Sequence, residues 1–204
     1  MANVTGSPTN DVDSERMPGA KRVYPHYVLP PFDEIQDGTE LLCHLGFTVP
    51  VIHRALYLLQ RLSEEHGADL PAQLVPRLLA NPHLARHAIV QNVLHDPTDF
   101  RYVHIGATIQ SSTHDALIGR LMSDIWYQKF PSTIWQLHSF AVTTASTVLS
   151  HIPYMGSDSR IRSVEVMVVP MHLGGKVTTL VIFLGYVRKA TYGSAGHASL
   201  SGLD

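Results

Sequence analysis

Cysteine is almost absent. Cys43 stands alone in 204 residues, so no intrachain disulfide can form and no cysteine-based zinc site can be built. A reducing compartment is expected. Charge is scarce too: 16% of the residues are Asp, Glu, Lys or Arg, against roughly 25% in an average chain, and a surface so neutral leads us to expect a homodimer. The 15 basic and 17 acidic residues nearly cancel and form no long basic run. The electrostatic footprint for a phosphate backbone is missing, and nucleic acid is not an expected partner. Long apolar runs are lacking as well. Val177 to Val187 is the longest, well short of the roughly 18 to 20 residues that cross a bilayer, so no membrane association is expected. Met1 to Asp13 lacks the basic-then-apolar pattern of a secretory signal, which makes the expected location cytoplasmic.

Catalytic motifs are missing in the same way. Gly193-Ser194-Ala195-Gly196 is not a nucleophile elbow, and Gly174-Gly175-Lys176-Val177 has neither the glycine spacing nor the Ser or Thr of a phosphate-binding loop. No paired carboxylates stand out. An enzyme is not expected.

What is present is material for one core, with 45% hydrophobic residues. Residues 1–30 hold Asn, Ser, Thr, Pro and Gly without an apolar period and read as a disordered tail, with Tyr24 to Pro31 either extended along a surface or disordered. Residues 188–204 read as a second tail. Residues 31–86 form a helical extension and linker. In it Ile52, Ala55, Leu56, Leu59 and Leu62 recur at helical spacing, Gly67 stops the helix, and Pro71 and Pro76 limit the segment that follows. Residues 87–187 then read as two strands turning at Asp96-Pro97-Thr98-Asp99, with the return strand running from Phe100 to Ile109 and Gly106 marking a bulge or close backbone approach. Short helical turns follow over Ser111 to Ile125, and then a helix opened by Pro131 and Ser132. Three strands close the unit, Val148 to Tyr154, Ile161 to Met171 and Lys176 to Val187. The expected class is α+β: a five-stranded antiparallel sheet with helices on one face, preceded by an N-terminal helix.

That order, with the run Asp99-Phe100-Arg101-Tyr102-Val103-His104-Ile105-Gly106-Ala107, resembles a PAS domain, and specifically the "DFRYRLIGT" strand of a PAS family of short alphaproteobacterial proteins. Leu117-Ile118-Gly119-Arg120-Leu121-Met122-Ser123-Asp124 is similar to that family's "LTGR" segment. Ile152-Pro153-Tyr154 and Val164 to Met171 resemble its last strands. The chain departs from the pattern at Val103, at His104, and at Thr113-His114-Asp115-Ala116. The resemblance implies a stand-alone sensory or regulatory module that binds a small molecule or a signalling protein without catalysis. It also permits a haem sensor, because haem-binding PAS domains use a histidine on the helix that carries His138. A separate alternative, resting on the antiparallel sheet and not on the resemblance, is a small cupped-sheet enzyme.

Candidate site residues follow. His138 lies on the apolar stripe of the helix after Pro131, as a haem ligand or as a hydrogen-bonded core histidine. His104 shares a strand face with Phe100 and Tyr102 by the period-two rule and points into a cavity or into solvent. Glu165 interrupts an apolar strand and is either buried with Arg101 or a ligand hydroxyl, or turned outward. Tyr102, Trp126, Trp135 and Tyr154 are candidate pocket walls with polar handles. His83 and His87 have the i, i+4 spacing of a metal pair but lack the motif around it. Ile52, Leu56, Leu59 and Leu62 are expected to face a second copy of the chain.

Overall fold

Apolar side chains at consecutive positions decide how the sheet is covered. From Val164 to Met171 only Glu165 is charged or polar. Alternation sends Val164, Val166 and Val168 to one face and Met167, Val169 and Met171 to the other, all of them buried. A strand of this kind is stable only with cover on both sides.

The computed structural model describes residues 24–113, 116–154, 156 and 158–189. Expectations for residues 1–23 and 190–204, and for His114 and Asp115, lie outside them. Strand β1 is His26–Val28, followed by helices α1 (Gly38–His44), α2 (Pro50–His66), α3 (Leu70–Leu79) and α4 (Pro82–Ala85). Then come β2 (Ala88–His95), β3 (Thr98–Ile105), α5 (Ala107–Gln110), α6 (Thr133–Thr144), β4 (Val148–Pro153), β5 (Ile161–Leu173) and β6 (Lys176–Arg188). The six strands form one antiparallel sheet in the order β1-β4-β5-β6-β2-β3. From β2 onward the elements follow the order that the PAS resemblance implies.

Two expectations are corrected. The sheet has six strands rather than five, because His26–Val28 pairs with Ser150, Leu149 and Val148. Residues 24–30 are therefore part of the fold: Leu29 is 5% exposed, and the Tyr27 ring meets Phe47 edge-on at 6.2 Å. Helices also lie on both faces rather than one. The layer of α1 to α4 packs on Met167, Val169, Val181 and Phe183, while α5, α6 and the turn at Met122–Asp124 cover Val166, Val168, Leu180 and Ile182.

The α2 stripe is used up inside the protomer. Ile52, Ala55, Leu56, Leu59 and Leu62 are all at most 3% exposed, so these four expected interface positions, Ile52, Leu56, Leu59 and Leu62, belong to the chain's own core and offer nothing to a second copy. The helix sits close because β6 yields space: a Cβ at Gly185 would come within 2.7 Å of Val49. Val49, the residue before the first turn of α2, has no side-chain cap of its own. Glu165 supplies acceptors from below, as Thr48 N–H donates to Oε1 at 2.9 Å, Thr48 Oγ1 donates to Oε1 at 3.0 Å, and Val49 N–H donates to Oε2 at 2.9 Å. A carboxylate at a helix N-terminus also opposes the helix dipole favourably.

Candidate functional site

Most of the layer between the sheet and α6 is apolar. Phe100, Ile105, Met122, Ile125, Leu137, Ala141, Val166 and Leu180 fill it. Within it sits a small polar cluster. Period-two alternation on β2 turns Ile89, Gln91 and Val93 to this face, and Gln91 pairs across the strands with Tyr102. Gln91 is 0% exposed, and neither its Nε2 nor its Oε1 makes a hydrogen bond. The Tyr102 hydroxyl donates to Gln128 Oε1 at 2.5 Å, and Gln128 is itself buried. Burial raises the Tyr102 phenol well above its ordinary pKa, and the neighbouring Tyr127 adds to this; Gln91 and Gln128 pull the other way. Gln91 is thus near the hydroxyl without reaching good hydrogen-bond geometry.

His138 completes the cluster. Ser132 starts α6 by accepting the Trp135 N–H at 3.1 Å, and one turn later His138 points at the sheet, 3% exposed. Its ring lies edge-on to Phe100 at 5.4 Å, and Trp135 meets the same Phe100 at 5.3 Å. Nδ1 is buried without a partner. Desolvation pushes the imidazole down to about 3, so it is neutral at physiological pH. A buried amide and a buried imidazole nitrogen that make no hydrogen bond each cost free energy. Together they offer donors and acceptors aimed into an apolar layer.

No family model matches the chain, and no curated protein matches it. Among solved structures, one that matches is of an RNA-binding light-oxygen-voltage receptor, with 21% identity, a TM-score of 0.41, and coverage of 59% of this chain and 33% of that one. The chain spans about a third of that receptor's length, and a likeness at this level assigns no ligand, partner or activity.

The other expected site residues go elsewhere. His104 does not share a face with Phe100 and Tyr102, because β3 is bulged: Val90 pairs with His104 and Gln91 with Tyr102, leaving Val103 as an extra residue that reverses the alternation. His104 Nε2 instead donates to the Ala85 carbonyl at 3.3 Å. The expected close approach at Gly106 is real, since a Cβ there would lie 2.2 Å from the Ala85 oxygen. Trp126 is 80% exposed; its neighbour Ile125 turns inward, which turns Trp126 out. Tyr154 is half-buried at the edge of the layer, edge-on to Tyr186 at 5.8 Å, and Tyr186 shares a hydrogen bond of 2.7 Å with Ser112 Oγ. Glu165 is buried, but on the α2 side of the sheet, where Thr48 and Val49 engage it rather than Arg101. Glu165 and Tyr102 therefore lie on opposite faces of the sheet.

The residues around His138 do not fit haem. A macrocycle beside the imidazole would have to take the place of Phe100 and Trp135, both packed into the layer. Among the described residues, no group of three or more His, Cys, Asp or Glu is placed to hold a metal ion, and no helix is long and apolar enough to cross a membrane. Gln91 and Gln128 were not apparent as site residues from sequence. Gln91 carries a readable signal, a polar residue on the apolar face of Ile89 and Val93. Gln128 carries none, since it lies in an irregular segment.

Proposed function

We propose that this chain is a PAS-type sensory module whose ligand site is the interior cluster of Gln91, Tyr102, Gln128 and His138, bounded by Phe100 and Trp135. The observation that carries the reading is Gln91, a fully buried amide with both polar atoms unpartnered. The ligand is a small neutral molecule with at least one donor and one acceptor. The cluster holds no charged side chain, and an ion without a counter-charge in this layer would be strongly disfavoured. The chain performs no chemistry on it. Binding is read out through the sheet, whose opposite face carries α2.

The test is thermal unfolding of the protein as purified and after refolding from denaturant, which strips a bound molecule. An unpartnered buried amide costs about 1–3 kcal/mol, and about 1 kcal/mol moves the midpoint of a chain this size by roughly 2–4 °C. Wild-type protein as purified is expected to melt above its refolded form, and refolded Gln91→Met above refolded wild type. Equal wild-type midpoints before and after refolding, with Gln91→Met lower than both, would reject the site.

A further inference from the structure

The outer side of the helical layer carries a cavity of about 540 Å³ between α2 and the corner where α3 meets α4. Small-molecule sites typically fall within about 300–1,000 Å³. It is separate from the interior cluster, because the sheet and the whole width of α2 lie between them.

The spacing of α2 builds one wall. Arg54, Leu58, Arg61 and Glu65 follow one another at i, i+4, i+7 and i+11 and so share a helix face. Arg77 and His83 face them from α3 and α4. The hydrogen-bonding groups are unequally matched. Glu65 Oε1 accepts from Arg61 at 2.6 Å, and the His66 ring nitrogen stands 3.8 Å from Oε2. Asn81 spends its side-chain oxygen on the N–H groups of His83 and Leu84, which leaves its amide N–H groups. Arg54 and Arg77 have no hydrogen-bond or ion-pair partner among the described residues. With Arg54, Arg61 and Arg77 set against the single carboxylate of Glu65, the lining of the cavity carries a net positive charge. Its floor is apolar, with Leu62 and Leu84 at most 3% exposed, and Tyr57 stands at its rim, 63% exposed.

We propose that this cavity binds a small organic anion, a phosphate or carboxylate attached to a flat apolar group. Arg54 and Arg77 take the anionic oxygens, since guanidinium groups match carboxylate and phosphate geometry. Tyr57 and the leucine floor take the apolar part. The site belongs to the helical extension and does not depend on the interior cluster.

Calorimetric titration of the full chain tests this with phenyl phosphate, benzoate, inorganic phosphate and benzyl alcohol. At least one of the two aromatic anions binds, and which one does so distinguishes phosphate from carboxylate recognition. Inorganic phosphate binds at least tenfold more weakly than that aromatic anion, and benzyl alcohol not at all. The R54Q/R77Q variant loses at least tenfold in affinity. Tyr57→Ala weakens the aromatic anion but leaves inorganic phosphate unchanged, and Gln91→Met leaves every titration unchanged. Both arginines are exposed, so the double variant is expected to melt with wild type; if it does not, Arg77→Gln alone supplies the comparison. Neither anion binding, or undiminished binding by the arginine variants, would overturn the proposal.

Discussion

His138 sets a pH dependence that can be worked out at the level of one side chain. Desolvation lowers its folded pKa to about 3 from an ordinary value of 6.5. Above pH 6.5 the ring is neutral folded and unfolded, and it adds no slope. Between pH 6.5 and about 3 the unfolded chain takes up a proton that the folded one refuses, so this group makes stability fall as pH falls, by up to roughly 1.4 kcal/mol per pH unit. Below about 3 its contribution levels off. Urea unfolding of wild type and His138→Phe from pH 7.5 to 4.5 is expected to show a shallower loss in the variant. Identical slopes would mean that the imidazole is accessible to water. His138 and Tyr102 are both buried, His138 because α6 keeps its period and Tyr102 because β3 keeps its alternation from Phe100 up to it. The expectation for His104 fails because one extra residue at Val103 reverses every side chain beyond it, and a bulge of that kind leaves no mark in the local residue pattern.

At the level of elements, the joint between the sheet and α2 rests on Glu165. Replacing it with Gln keeps the shape but exchanges charge-assisted hydrogen bonds for neutral ones and places an amide NH₂ against one of the two backbone N–H groups. A loss of about 2–3 kcal/mol is expected, seen as a lower midpoint, with faster hydrogen exchange concentrated over residues 47–56. Uniformly faster exchange across the sheet would show that Glu165 is not a local fastening. None of this was legible in advance, since Thr48 and Val49 are more than 100 residues away in sequence. The longer elements were legible. The α2 stripe, the stop at Gly67, the hairpin and the last three strands fall within a few residues of where periodicity and turn chemistry put them. The three-residue β1 and seven-residue α1 are too short to show a period. Cover on both faces could have been read from β5, where apolar residues follow one another instead of alternating.

For the molecule as a whole, the fold begins earlier than composition suggests. Deleting residues 1–30 removes β1 and the buried Leu29 and uncovers Phe47, so the midpoint is expected to drop by several degrees on thermal unfolding. An unchanged midpoint would return this segment to the status of a tail. A ligand held in the layer under α6 would accompany the purified chain. The most direct measurement is a mass spectrum of the 22.5 kDa chain under non-denaturing conditions, taken straight from purification. Wild type is expected to carry a discrete excess mass of small-molecule size that denaturation releases and that Gln91→Met lacks. A wild-type spectrum showing only the mass of the polypeptide, or the same excess mass in Gln91→Met, would contradict the account.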